Sequence, residues 1–430
     1  MATQQTKSDR SPSTDHIATD RGATATIEAH RGGTATGAVR RNRQVALVGS
    51  TLLAIGVALA AANLRPAVTS LAAVLGDVRA SLGVSTAWTS LLTAVPTVCF
   101  GIAAFLAPWL GRRLGMARAV ALSLLVLTVG LVLRVVDGPV AVLGGTFIAC
   151  AGIAVCNVLI PVVVKESFPG RVGLVTGVYT AALAAGAALG AAFTPGLEST
   201  FGSWRLAVGA WAFLSLAALV VWSAAARHGF SARPTAHRPV AVRSLFRSPL
   251  AWVITVFFGL QSLLAYTVMG WLPQILGDAG VDRTTAGLLL AITMVLGVPV
   301  SLIVPPLAAR RPGQSGLVLA LGVPAILGVL GLALAPAAAP GLWVVLVGLG
   351  MGMFPLALVM ISLRTTSGAD TARLSAMAQS IGYLISATGP FAFGVLRGAT
   401  GTWTLSMLVL AALLAVLTTL GWIAGRPRTV

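Results

Sequence analysis

The run Val45–Leu75, VALVGSTLLAIGVALAAANLRPAVTSLAAVL, carries one charge, Arg65, within Asn63-Leu64-Arg65-Pro66. A helix needs about 20 apolar residues to cross roughly 30 Å of hydrocarbon, and this stretch is long enough. An arginine at such depth costs roughly 2.5 to 3.5 kcal/mol even on lenient insertion scales, so its head faces a protein interior or a watery cavity. Arg65 is therefore a candidate functional residue before anything else is known of the chain.

Composition extends that reading to the whole sequence. With 57% hydrophobic residues, 9% charged residues and a mean hydropathy of +0.92 over 430 residues, the apolar surface exceeds what one soluble core can bury. The chain reads as a multi-pass membrane protein in contact with the lipid bilayer. Its net charge of +18 comes from basic clusters between long apolar runs, the signature of membrane topology. Nucleic acid is not an expected partner, because that reading needs a soluble basic face. Cys99, Cys150 and Cys156 sit in apolar runs without metal-ligand spacing and read as small buried hydrophobes. No cofactor is implied, and a monomer is expected.

Residues 1–43 are rich in Ser, Thr, Gly and charge, cannot offset their ordering entropy, and are expected to be a disordered cytoplasmic tail. Twelve spans follow, near residues 45–75, 86–108, 117–135, 140–164, 172–195, 204–225, 250–275, 285–307, 316–335, 341–363, 374–396 and 402–423. The expected organisation is a six-helix bundle over 44–226, a basic cytoplasmic linker over 227–248, a second six-helix bundle over 249–425, and a short tail, 426–430. The fold class is thus an all-α membrane protein of twelve transmembrane helices in two pseudo-symmetric bundles.

Charge orients the spans. Arg40, Arg41, Arg43, Arg112, Arg113, Arg118, Lys165, Arg171, Arg310, Arg311, Arg364, Arg373, Arg426 and Arg428 fall on one side, and Arg79, Arg134, Arg205, Arg283 and Arg397 on the other. The positive-inside rule then places both termini in the cytoplasm, in the cell's inner membrane.

The halves repeat. Pro108-Trp109-Leu110-Gly111-Arg112-Arg113 at the end of the second span has a counterpart in Pro306-Leu307-Ala308-Ala309-Arg310-Arg311 at the end of the eighth. Leu75-Gly76-Asp77 recurs as Leu276-Gly277-Asp278, an offset of 201 residues that pairs Arg65 with Tyr266. A similar offset sets Tyr179 against Gln379. Such parallel repeats characterise transporters whose halves rock around a midplane site.

Polar residues other than Ser and Thr are few within the spans, and they form the candidate substrate set: Arg65, Asn63, Asn157, Tyr179, Gln261, Tyr266, Gln379 and Tyr383. Each amide or phenol has an equally good reading as an interhelical hydrogen bond. Arg65 differs, because a structural arginine calls for a carboxylate and the expected spans contain none. For the same reason coupling through a buried carboxylate is disfavoured. Arg112, Arg113, Lys165, Glu166, Arg310 and Arg311 are candidates for gating or cytoplasmic anchoring, with a local Lys165–Glu166 salt bridge as the simpler expectation for that pair. Ala182, Gly186 and Gly190 recur every four residues, a pattern suited to close helix contact. Gly389-Pro390 is expected to bend the eleventh span and free carbonyls toward a cavity.

Several of these stretches together resemble the major facilitator superfamily, in its cyanate and 2-nitroimidazole transporter branch. They are Asn63-Leu64-Arg65-Pro66-Ala67, the run Leu91–Gly101, Asn157-Val158-Leu159-Ile160-Pro161 followed by Lys165, Gly173–Ala181 with Tyr179, and Phe257-Phe258-Gly259-Leu260-Gln261-Ser262 followed by Trp271-Leu272-Pro273. The resemblance spans about residues 45–425. It implies a secondary transporter for a small solute, either a small anion such as cyanate or a nitro-aromatic, without choosing between them or setting direction. The loop after the second span lacks the acidic residue of the superfamily's usual cytoplasmic motif. The alternative is an exporter of neutral or aromatic compounds. A membrane enzyme lacks a nucleophile, metal cluster or acid pair, and a sensor lacks a folded output domain.

Overall fold

The computed structural model describes residues 51–229 and 245–430. The tail expected over 1–43 and most of the linker lie outside the described residues. Within them, all regular structure is helical.

Twelve long helical segments follow in order: α1 Thr51–Ala73, α2 Leu91–Leu114, α3 Met116–Leu133, α4 Pro139–Ser167, α5 Pro169–Phe201, α6 Trp204–Arg227, α7 Pro249–Asp278, α8 Thr285–Ala309, α9 Ser315–Leu334, α10 Pro340–Leu363, α11 Gly368–Thr400 and α12 Thr404–Ala424. Eleven are long and apolar enough to cross a membrane by composition alone. The exception is α11, a helix of 33 residues. Its Ser375, Gln379, Ser380, Tyr383 and Ser386 are buried against protein rather than lipid, since α11 packs on α7, α2 and α4. A helix enclosed by others need not be apolar all round.

Glycine sets how closely some helices approach. A Cβ on Gly186 would collide with the Ala62 carbonyl, and one on Gly190 would lie 2.8 Å from Pro66 Cα, so the expected small-residue stripe of α5 is the face that α1 rests on. Gly173 is pressed in the same way against Pro305, Pro306 and Ala309 of α8, joining the two halves.

Several helices are interrupted within their length, among them α1, α8 at Leu296, and α10. α1 loses regular helix at Leu64-Arg65 and resumes at Pro66–Ala73, with Pro66, which lacks an amide N–H, at its first turn. α10 breaks at Met351-Gly352, between Pro340–Gly350 and Met353–Leu363, where Met351 and Gly352 donate to Gly348 (3.1 Å) and Leu349 (3.0 Å) in tight i→i−3 bonds. Irregular backbone at membrane depth is tolerated where it lines a cavity.

At Gly389-Pro390 the backbone of α11 is tied to α7. The Pro390 carbonyl accepts from Trp271 Nε1 at 2.9 Å, so α7 satisfies it.

Candidate functional site

A cavity lies between the halves, open at one end, with about 800 Å³ of empty space including its mouth. Its wall comes from Arg65 on α1, Thr180, Leu183, Ala184 and Ala187 on α5, Gln261 to Met269 on α7, Thr293 to Ser301 on α8, Met351, Phe354 and Pro355 on α10, and Tyr383 on α11. α1, α8 and α10 contribute at or beside their breaks. The Arg65 guanidinium lies 5.7 Å from the centroid of the Phe354 ring, a cation–π contact across the two halves. Among the described residues Arg65 forms no ion pair.

Of the eight residues singled out from sequence, Arg65, Gln261, Tyr266 and Tyr383 reach this wall. Arg65 and Tyr266 do so as repeat-related partners. Gln261 is buried and its Oε1 accepts from Ser262 Oγ at 3.2 Å, while Tyr383 packs 5.3 Å from both Phe100 and Phe258. The other four lie elsewhere. Asn63 donates through Nδ2 to Leu59 O at 2.8 Å and secures the end of the N-terminal half of α1. Gln379 donates through Nε2 to Asn157 O at 3.1 Å and to Ser375 Oγ at 2.8 Å, so it ties α11 to α4. Asn157 takes part through its carbonyl. Tyr179 is buried off the wall with its hydroxyl unpartnered.

The cavity is closed at the end that carries the basic clusters. Gln379–Asn157, Phe100–Tyr383 and the packing of Gly173 on α8 all join the halves there. Lys165 joins them too, but the Lys165–Glu166 salt bridge does not form. Instead Lys165 Nζ donates to Ser362 O at 2.7 Å, to Thr365 Oγ1 at 2.8 Å and to the Thr365 carbonyl, at the C-terminal end of α10. The exposed Glu166 lies against Gly368 at the N-terminus of α11. Each charge thus sits at the helix end whose partial charge opposes it. A carbonyl cluster binds an ammonium in place of a neighbouring carboxylate because three acceptors converge there. Arg112, Arg113, Arg310 and Arg311 are exposed at this same end, with Arg113 5.9 Å from the Trp109 ring, and none reaches the cavity wall.

Two arginines that charge counting assigned to loops are buried. Arg364 holds Ala424 O (3.0 Å), Gly425 O (3.0 Å) and Gln314 Oε1, fastening the chain's end to the basic side. Arg134, assigned to the opposite side, is fully buried and donates to the Ala67 carbonyl and to Ser70 Oγ at 3.2 Å. Arg65 is therefore not the sole charge enclosed by the helices. The positive-inside count missed both because it registers position along the chain and not where a long side chain turns.

At the open end, the described ion pairs stay within one half: Arg205–Asp137 in the first, and Arg397–Asp278 at 3.2 Å in the second. Two helix sets joined at one end surround the cavity, and the sequence matches that of the Major Facilitator Superfamily over residues 51–390. The chain belongs to this superfamily.

This facilitator is 36% identical over 381 residues to an uncharacterized transporter of Bacillus subtilis, covering 87% of this chain and 94% of that one. It is 34% identical to the 2-nitroimidazole transporter of Escherichia coli, covering 88% and 96%, and 33% identical to the cyanate transport protein of the same organism, covering 79% and 88%. A solved fucose-transporter structure of the superfamily superposes with a TM-score of 0.70 at 16% identity, covering 89% of this chain and 100% of that one, which establishes shared fold. The facilitator is a multi-pass membrane protein that moves a small solute by secondary transport and is not an enzyme.

Proposed function

We propose that this protein carries a small anionic or nitro-bearing solute across the cytoplasmic membrane by alternating access, with Arg65 as the anchor. The observation that carries this reading is a guanidinium on the wall of an inter-half cavity with no carboxylate paired to it among the described residues. A planar guanidinium offers parallel N–H donors that match a carboxylate, nitro or similar acceptor. Phe354, Tyr266 and Tyr383 supply aromatic surface for a planar solute, and Gln261 an amide to orient it. The names borne by the E. coli relatives, cyanate and 2-nitroimidazole, fall within this chemistry.

With both termini cytoplasmic, the closed basic end is the inner gate and the cavity opens outward. Lys165 and Glu166 act as a latch on α10 and α11, while Arg112, Arg113, Arg310 and Arg311 anchor the cytoplasmic face.

The test is counterflow of labelled cyanate and of labelled 2-nitroimidazole in proteoliposomes, with and without a pH gradient. Wild type is expected to exchange at least one of them. Arg65→Ala is expected to reduce that exchange about 10- to 100-fold, since hydrogen bonds to a charged group contribute about 1.5 to 3 kcal/mol. Undiminished exchange by Arg65→Ala in correctly inserted protein refutes the anchor role.

A further inference from the structure

We infer that Arg134 is a positioning residue for Arg65, holding the outer half of α1 at the rotation that turns Arg65 into the cavity. The inference rests on the reading of Arg65 as the solute's anchor.

α1 is interrupted just before its last eight residues, Pro66–Ala73. Arg65 stands at the N-terminal boundary of Pro66–Ala73, and its carbonyl accepts from Val68 N and Thr69 N, both at 3.0 Å. Its direction is therefore set by this short outer segment. Helical bonding to the inner half is weakened at Leu64-Arg65, and Pro66 adds no amide N–H to the ladder. Eight residues cannot sustain a helix in a defined orientation by their own bonds. Something outside the segment must fix its rotation.

Arg134 makes the polar contacts that do so. Its Nη1 donates to Ala67 O and its Nη2 to Ser70 Oγ, two groups three residues apart and so on one face of the segment. Gripping both fixes rotation, which a single bond leaves free. Gly190 meets Pro66 and Thr69 from α5, so the segment is held by a close-packed helix and a two-pronged clamp. The clamp is itself fixed, because Gly145 of α4 approaches the Arg134 backbone so closely that a Cβ would overlap it.

The chemistry of Arg134 fits a role beyond packing. It is fully buried, no described carboxylate pairs with it, and its Nε has no partner. A buried, incompletely satisfied guanidinium is a costly way to fasten two helices that apolar side chains could join. A small rotation of the outer segment would swing the long Arg65 side chain away from Phe354, because successive residues are 100° apart around the axis.

The test reads position without any solute. Arg65→Cys and, as a reference on the opposite wall, Ser301→Cys are labelled with a negatively charged methanethiosulfonate reagent, the native cysteines being buried. Adding Arg134→Gln is expected to change the labelling rate at position 65 by fivefold or more and at position 301 by less than twofold. Backbone hydrogen exchange in the otherwise unsubstituted Arg134→Gln protein is expected to rise within residues 64–73 and not in α7. An unchanged rate at position 65, or an equal change at both positions, overturns the inference. Should Arg134→Gln fail to fold, Arg134→Lys, which keeps the charge and loses the fork, decides by the same rates. Transport by Arg65→Ala reports separately on the anchor, so the two readings fail independently.

Discussion

Two glutamines show how residue identity and role separate. Gln261 and Gln379 are both buried in polytopic helices, yet one reaches the cavity wall and the other spans from α11 to α4. Gln261→Leu is expected to raise the KM for a transported solute about three- to tenfold with little loss of stability, measured by initial rates in proteoliposomes. Gln379→Leu removes one interhelical bond, to Asn157 O, of a kind that contributes about 0.6 kcal/mol on average in membranes, up to roughly 1.7. It should leave KM near wild type while shifting the conformational equilibrium, read as changed labelling at the basic end. Sequence identified both side chains as polar groups at depth but not the direction each takes. Arg134 illustrates the same limit, because a residue just beyond a helix end can turn inward as readily as into solvent.

At the scale of elements, periodicity and length resolve twelve spans, since hydrocarbon thickness dictates helix length. The four-residue spacing of Ala182, Gly186 and Gly190 also marked the face of α5 that meets another helix. Gly186→Leu is expected to push α1 off α5, because the position faces the Ala62 carbonyl and not a movable side-chain tip. The cost is estimated at about 1 to 3 kcal/mol by analogy with overpacked cores, observable as a lower melting temperature in detergent. The interruption of α10 at Met351-Gly352 was not anticipated, because hydropathy alone shows a continuous apolar run. Its local cause is in the sequence all the same, since Gly352 weakens the helix and Pro355 offers no N–H to the Met351 carbonyl. α11 was expected as a span like the others, yet it alone falls short of their apolar character, and its enclosure by α2, α4 and α7 explains why such a helix is stable there.

For the whole molecule, the proposed function makes the contacts at the basic end a latch that sets which face is open. Lys165 and Glu166 are adjacent in sequence and engage opposite kinds of helix end, so one short segment of the first half holds two helices of the second. Lys165→Met is expected to weaken this closure by roughly 1 to 2 kcal/mol, about a five- to thirtyfold shift in the equilibrium between faces. Maleimide labelling of Ser375→Cys, buried beside Gln379, should accelerate from the basic side in that background. Unchanged labelling would remove Lys165 from the gate.

The sequence by itself determined the membrane environment, the number of spans, the twofold repeat and Arg65 as a charge requiring explanation. Each follows from local physical demands: apolar length, charge placement and the cost of an unpaired ion in hydrocarbon. Tertiary structure alone decided that Arg65 meets Phe354, that Lys165 leaves Glu166 for carbonyls of the other half, and that Arg134 turns inward to grip α1. These outcomes depend on groups far apart in the chain, which spacing along one helix cannot bring together.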